Sequence, residues 1–273
     1  MSDTRYPNRP PEGDWLGSQY LRFERRGSLG VVTVDRPERR NALTPSMYFG
    51  IRAAVERVSS STDLAGLLLT GTGDVFVPGG DLSGGNDDAW GDLTVLGMDI
   101  TPFDAIRHAP KPVVCAINGL AQGGGLMMSM LADVSVASDR ATFRAPELLR
   151  GIADTYYGQI LPRQIGPARA RDMLMTGRVV SAQEALAWGL VSRVVPHEQL
   201  LDEAIDALQW CCRSAPGARN EIKRIVDRYY GVYDRMAMDA SLAGPESREG
   251  MTAFGERRNP NWVPDDLRTD GRL

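Results

Sequence analysis

The chain has two histidines in 273 residues, His108 and His197. Neither stands in a metal-ligand or nucleophile pattern such as H-E-x-x-H, so neither a zinc site nor histidine-dependent catalysis is expected. Cysteine is almost as scarce. Cys115, Cys211 and Cys212 make an odd count, and the adjacent pair is poorly placed to bridge itself. That usage suits a reducing compartment, and the expected location is the cytoplasm. No run of about 18 apolar residues occurs, which argues against a membrane-spanning helix. The stretch 1–19 has no apolar segment of the signal-peptide kind; its Pro, Gly and charge content reads as an arm lying on the surface. An excess of positive charge is missing too. With 31 Lys and Arg against 35 Asp and Glu, the net charge of -4 gives no electrostatic reason to expect nucleic acid or an anionic membrane as partner. There is no P-loop, and no G-x-G-x-x-G joins a strand to a helix with a suitably placed acid, which disfavours a dinucleotide-binding dehydrogenase.

What is present is 42% apolar residues, enough for a substantial core, and 29 glycines. The most informative glycines are Gly123, Gly124 and Gly125, set between a strand-like run and a helix-like run. Without Cβ atoms a ligand can approach the main chain closely. The first amides of the following helix have no intrahelical partner and carry the positive end of its dipole. A second pair, Gly79 and Gly80, follows the strand-like run 66–70 by a short connection. The two amide sites are expected to converge, and two backbone donors aimed at one oxygen stabilise an enolate or tetrahedral oxyanion.

Strand-like segments at 31–35, 66–70, 112–117 and 132–137, with helical patterns between the first three, spell β-α-β units and an α/β fold. Thr44 is placed to cap a first helix with Pro45 at its first position, and Ile51, Ala54, Val55 and Val58 follow at helical spacing. Short helices are expected at 126–131 and 168–176. From residue 181 onward strand signals thin out, apart from 189–196. The stretches 200–212 and 218–230 each carry an apolar stripe, whereas 259–273 is polar and punctuated by proline.

Four motifs carry a resemblance: Asp35-Arg36-Pro37-x-x-Arg40-Asn41-Ala42-Leu43, Phe76-x-x-Gly79-Gly80-Asp81-Leu82, Asn118-Gly119-x-x-x-Gly123-Gly124-Gly125, and Ala145-Pro146-Glu147-x-x-x-Gly151-Ile152. From about residue 20 to the C-terminus the chain resembles the crotonase, or enoyl-CoA hydratase/isomerase, family. The resemblance implies a spiral of β-β-α units over 20–196, holding the CoA and oxyanion site. It also implies a helical trimerisation region over 197–273, hence a homotrimer or a hexamer made of two trimers. It implies an acyl-CoA thioester substrate, coenzyme A as part of that substrate, and no tightly bound cofactor. Gly80 and Gly124 are then the oxyanion-hole amides, and Glu147 is the carboxylate that moves a proton. Arg40, Ala42, Gly79, Asp81 and Leu82 would line the CoA, with Phe254 and Arg257 bordering it and Met127 and Tyr156 beside the substrate. Trp90, Met98 and Phe103 would wall the acyl pocket.

One departure matters. Family hydratases carry a second glutamate where this chain has Met127, and a thioether transfers no proton, so Met127 is expected to shape an apolar pocket. Asp154 is the candidate replacement, in a position where several family isomerases and a related dehalogenase carry Asp. Buried near Met127, Tyr156 and Tyr157, such a carboxyl would have a raised pKa suited to proton shuttling. Other readings stand beside these. Glu147 can pair with Arg144 or Arg150, and Asp154 can simply cap a helix. The leading reactions are isomerisation and hydration of enoyl thioesters. Hydrolysis or carbon–carbon cleavage through Asp154, and an acyl-CoA binder without turnover, are the rivals.

Overall fold

The computed structural model describes residues 16–82 and 101–270; Trp90 and Met98 lie outside them. Its strands are β1 (Leu21–Arg26), β2 (Leu29–Val34), β3 (Gly66–Gly71), β4 (Val75–Val77), β5 (Val113–Ile117), β6 (Leu120–Gln122), β7 (Val134–Ser138), β8 (Thr142–Arg144), β9 (Val180–Ser181) and β10 (Arg193–Val195). Its helices are α1 (Pro45–Ser60), α2 (Phe103–Arg107), α3 (Gly124–Leu131), α4 (Thr155–Ile165), α5 (Pro167–Thr176), α6 (Ala182–Trp188), α7 (Leu200–Arg213), α8 (Pro216–Tyr230), α9 (Arg235–Leu242) and α10 (Pro245–Glu256). A large sheet runs β1-β2-β3-β5-β7-β10, and a small one runs β4-β6-β8-β9. Apart from the antiparallel outer pairs β1–β2 and β8–β9, neighbours are parallel. Each turn of the chain lays a strand in the large sheet and the next in the small one: β3 then β4, β5 then β6, β7 then β8. This is the β-β-α spiral that the motifs imply.

Parallel strands covered on both faces need apolar residues throughout, and β5, Val-Val-Cys-Ala-Ile, is buried at every position. Alternation then divides the strands between two cores. Val32, Val34, Leu67, Leu69, Val113, Cys115 and Ile117 join the main cluster with α1 and α3. Leu29, Val31, Leu68, Val114, Ala116 and Val136 face the other way and pack on Leu200, Ala204, Ala207 and Leu208 of α7. The helix that opens the C-terminal region thus covers the outer face of the sheet.

Helix α1 starts as its sequence requires. The Thr44 hydroxyl accepts the Met47 N–H at 3.4 Å with Pro45 in the first turn, and Met47, Ile51, Ala54, Val55 and Val58 are all buried. Thr44→Ala removes that cap and is expected to cost about 1 kcal/mol, readable as a lower midpoint in urea denaturation.

Two asparagines hold the β3–β4 turn from opposite sides. Asn41 Nδ2 donates to the Thr72 and Val75 carbonyls at 2.9 and 2.7 Å. Asn118 Nδ2 donates to the Gly73 and Val75 carbonyls at 2.9 and 3.1 Å, while its Oδ1 accepts the Gly71 N–H at 3.1 Å. Next to Asn118, a Cβ on Gly119 would overlap the Asp74 carbonyl. Both motif asparagines are therefore turn clamps that fix where β4, and the glycines after it, begin.

Candidate active site

The two glycine turns meet. A Cβ on Gly79 would stand 3.7 Å from the Gly123 Cα and 3.9 Å from the Gly124 N, and Gly79 and Gly123 have φ of +103° and +53°. Positive φ favours glycine, and at Gly123 a ψ of -126° lies outside the left-handed well that other residues can enter. Gln122 ties the turns together by donating from Nε2 to the Pro78 carbonyl at 3.2 Å. The Gly80 amide is aimed by a parallel bridge to Leu43. The Leu43 N–H donates to the Gly79 carbonyl, and the Asp81 N–H donates to the Leu43 carbonyl, each at 2.9 Å. Those bonds occupy the residues on either side and turn Gly80's own N–H to the opposite edge. Gly124 is the first residue of α3, and no side chain caps that end, so its N–H has no intrahelical acceptor.

Glu147 completes the corner. It opens a 3-10 turn, Glu147–Arg150, and its Oε1 lies 3.2 Å from where a Cβ on Gly123 would be. Its Oε2 is buried with no hydrogen-bond partner. The flanking arginines are engaged elsewhere, Arg144 Nε donating to the Gly177 carbonyl and Arg150 lying over the Phe254 ring at 4.1 Å, and their charges offset only part of the upward shift of Glu147. Burial, and then the charge of Asp154, push the Glu147 carboxyl well above its ordinary range. The turn is held from behind by α10, since a Cβ on Gly250 or Gly151 would strike the Arg150 or Glu246 backbone. Phe254 thus meets the carboxylate-bearing turn through Arg150, while Arg257 closes α10 in left-handed geometry at φ 57°.

Asp154 sits at the head of α4, near Glu147. It caps α4, its Oδ1 accepting the Tyr157 N–H at 3.0 Å, and it stands close enough to Glu147 to raise that group's pKa. Its own pKa is raised to about 6, chiefly by burial and against the Tyr157 and Tyr156 backbone amides, which favour the charged form. Met127 is buried in the main cluster. Tyr156, expected beside the substrate, is 2% exposed. It stacks on Tyr233, ring centroids 3.4 Å apart, with Phe103 edge-on at 5.9 Å. Its neighbour Tyr157 is the one that reaches the glycine turn, donating its hydroxyl to the Gly123 carbonyl. Sequence reasoning missed this bond, and also Tyr48 of α1, whose hydroxyl lies beside Gly124. A tyrosine on the apolar face of a helix, with a hydroxyl that wants a partner, was the available signal for Tyr48.

The remaining expected ligand residues lie along one edge. Arg40 is exposed and left-handed, φ 51°, after the turn Pro37–Arg39. Ala42 precedes the Leu43 bridge, and its carbonyl accepts Arg36 Nη1 at 3.0 Å. The Asp81 side chain is engaged by Arg36 Nη1 at 2.7 Å, and Leu82 is half-buried next to it. Among the described residues no three His, Cys, Asp or Glu side chains are grouped to hold a metal ion, and no helix is long and apolar enough to cross a membrane.

Converging backbone amides, with a desolvated carboxyl against them, can hold an oxyanion and move a proton next to it. Known proteins are similar to this one along nearly the whole chain. A probable enoyl-CoA hydratase of Mycobacterium bovis is 32% identical over 248 residues, 88% of this chain and 96% of that protein. A carnitinyl-CoA dehydratase of Salmonella arizonae is 33% identical over 258 residues, 90% of this chain and 98% of the other. A solved enoyl-CoA hydratase/isomerase structure from Pseudoalteromonas atlantica superposes with a TM-score of 0.76 at 30% identity, covering 90% of this chain and 100% of that one. Residues 24–265 match the family model described as enoyl-CoA hydratase/isomerase, and the chain belongs to that family.

Proposed function

We propose that the protein binds an acyl-CoA thioester, polarises its carbonyl with the Gly80 and Gly124 amides, and moves a proton with Glu147. The observation that carries this reading is the Glu147 carboxyl: buried against Gly123, with Oε2 unpartnered. A surface salt bridge would satisfy that oxygen; a substrate carbon next to a held carbonyl gives it a proton to take. With Met127 in place of a second glutamate, double-bond migration is the simplest chemistry. Glu147 removes a proton at one carbon, the oxyanion hole holds the dienolate, and the same carboxyl returns the proton two carbons along. Hydration is the second reading, favoured by the electrostatic contact between Asp154 and Glu147, which suits two carboxyls sharing one water. In both, coenzyme A enters as part of the substrate, with Arg40, Ala42, Gly79 and Leu82 along its path. Asp81 supports that edge through Arg36.

The test is solvent deuterium uptake into 2-enoyl- and 3-enoyl-CoA thioesters, read by mass spectrometry, for the wild type, Glu147→Gln and Asp154→Asn. Exchange lost only in Glu147→Gln supports isomerisation, and a gain of the mass of water needing both acids makes it a hydratase. Thioester binding with neither signal sinks the proton-shuttle reading in favour of cleavage chemistry or a binder.

Asp154 also marks stability. Its folded pKa, about 6, lies above the ordinary aspartate value of 3.8, so the folded state holds the proton more tightly and stability falls as pH rises from 3.8 through 6. Asparagine can keep the cap without the charge. Asp154→Asn is expected to melt higher than wild type at pH 7.5 and to lose that advantage at pH 4; the reverse order would contradict it.

The assembly we infer is a homotrimer. Ile222, Ile225, Val226 and Tyr229 form an exposed apolar stripe at helical spacing on α8, continued by Val232 at 91% and Met236 at 84% exposure. Such a stripe suits burial against another copy. Light scattering is expected to give three or six times the chain mass, and Ile225→Asp a smaller species.

A further inference from the structure

Two phenols stand at the glycine turn. Tyr157 spends its proton on the Gly123 carbonyl. Tyr48 lies with its ring against Gly124, where a Cβ would come 2.5 Å from the hydroxyl and 3.0 Å from Cε1. Phe103 packs edge-on against the same ring, centroids 6.3 Å apart, so the side chain is held in place. The residue is 7% exposed, yet its hydroxyl makes no hydrogen bond to any described residue. Burial and the nearby Glu147 and Asp154 charges push its pKa upward, so the phenol remains a neutral donor at neutral pH. Among the described residues at this corner, Met127 offers no donor and the Tyr157 hydroxyl is engaged.

A hydrocarbon acyl chain seated against that hydroxyl would shut it off from solvent and give it no acceptor, whereas an oxygen on the chain supplies one. Sites that hydrogen-bond a substrate oxygen discriminate strongly against analogues without it. Because Tyr48 adjoins Gly124, whose amide is assigned to the carbonyl of carbon 1, the matching oxygen sits close along the chain.

We propose that Tyr48 is a specificity-determining hydrogen-bond donor and that the preferred thioesters carry a carbonyl oxygen, a pure acceptor, on carbon 3 or 4 of the acyl group. This deepens the acyl-CoA reading above and rests on it. The test is calorimetric binding of pentanoyl-CoA, 3-oxopentanoyl-CoA and 4-oxopentanoyl-CoA to the wild type, Tyr48→Phe and Tyr48→Leu, with melting curves to confirm folding. The wild type is expected to bind at least one oxo-thioester about tenfold tighter than pentanoyl-CoA. Tyr48→Phe, which keeps the ring, is expected to erase that preference while changing pentanoyl-CoA affinity by less than twofold; Tyr48→Leu erases it too. Wild-type binding without a preference, or a preference that survives in Tyr48→Phe, overturns the proposal and leaves the acyl-CoA reading intact. Equal weakening of all three ligands in Tyr48→Phe also overturns it, assigning the phenol to the thioester oxygen. No binding of any thioester to the wild type overturns both.

Discussion

Glu147→Gln is expected to lower turnover by about 10²- to 10⁴-fold, with CoA-thioester affinity nearly unchanged. Glutamine keeps the shape of the side chain and its packing under the Arg150 turn, but it cannot accept a proton from carbon. Burial raises the Glu147 pKa, so the working, ionised base accumulates only as pH climbs past the ordinary carboxylate range. The wild-type kcat/KM profile is therefore expected to rise through an apparent pKa shared by the Glu147 and Asp154 pair. That rising limb vanishes in Glu147→Gln. The same raised pKa means that the folded state disfavours the charged form, so stability declines as pH rises above the ordinary carboxylate range. The glutamine variant, free of that charge, is expected to be at least as stable as wild type at pH 8. A variant that still exchanges deuterium at the wild-type rate would remove Glu147 from the mechanism.

The second large effect concerns stability. Arg36 is fully buried, its guanidinium 4.9 Å from the Tyr20 ring centroid and its Nη1 bonded to both Asp81 and the Ala42 carbonyl. It joins the loop after β2 to the segment that carries Gly79 and Gly80. Arg36→Met removes the guanidinium 2.7 Å from the Asp81 carboxylate, which is 11% exposed. Breaking a buried pair from one side costs about 3–5 kcal/mol. Chemical denaturation is expected to show that loss, together with weakened thioester binding as the Gly80 segment loosens. Adding Asp81→Leu to Arg36→Met is expected to recover part of the stability, because the carboxylate then leaves with its partner. A single-variant loss within 0.5 kcal/mol of zero would mean that the pair is not holding this segment.

Long elements with a clean period were legible in the sequence. The four expected strands correspond to β2, β3, β5 and β7, and α1, α3, α5, α7 and α8 fall where periodicity and caps place them. The small sheet was not legible, since β4, β6 and β8 have three residues each, too few to show alternation. Helix α4 was hidden by Gly158 and the internal Pro162, which lower local propensity while packing supplies what propensity lacks. At the candidate site, the glycines and Glu147 announced themselves through motif spacing. Tyr48 and the Tyr157 bond did not, because both depend on which residues of α1 and α4 the fold brings to Gly123 and Gly124. Neither separation in sequence carries a periodic trace.

The covering of the large sheet by α7 bears on how the chain is made. β2, β3, β5 and β7 all leave the ribosome before residues 200–213. Until those follow, the face formed by Leu29, Val31, Leu68, Val114, Ala116 and Val136 has no lid. A nascent chain stalled or cut short before α7 therefore presents an unshielded greasy surface on parallel strands, which is a target for holding chaperones and a seed for aggregation. That outer core closes only when Leu200, Ala204, Ala207 and Leu208 arrive.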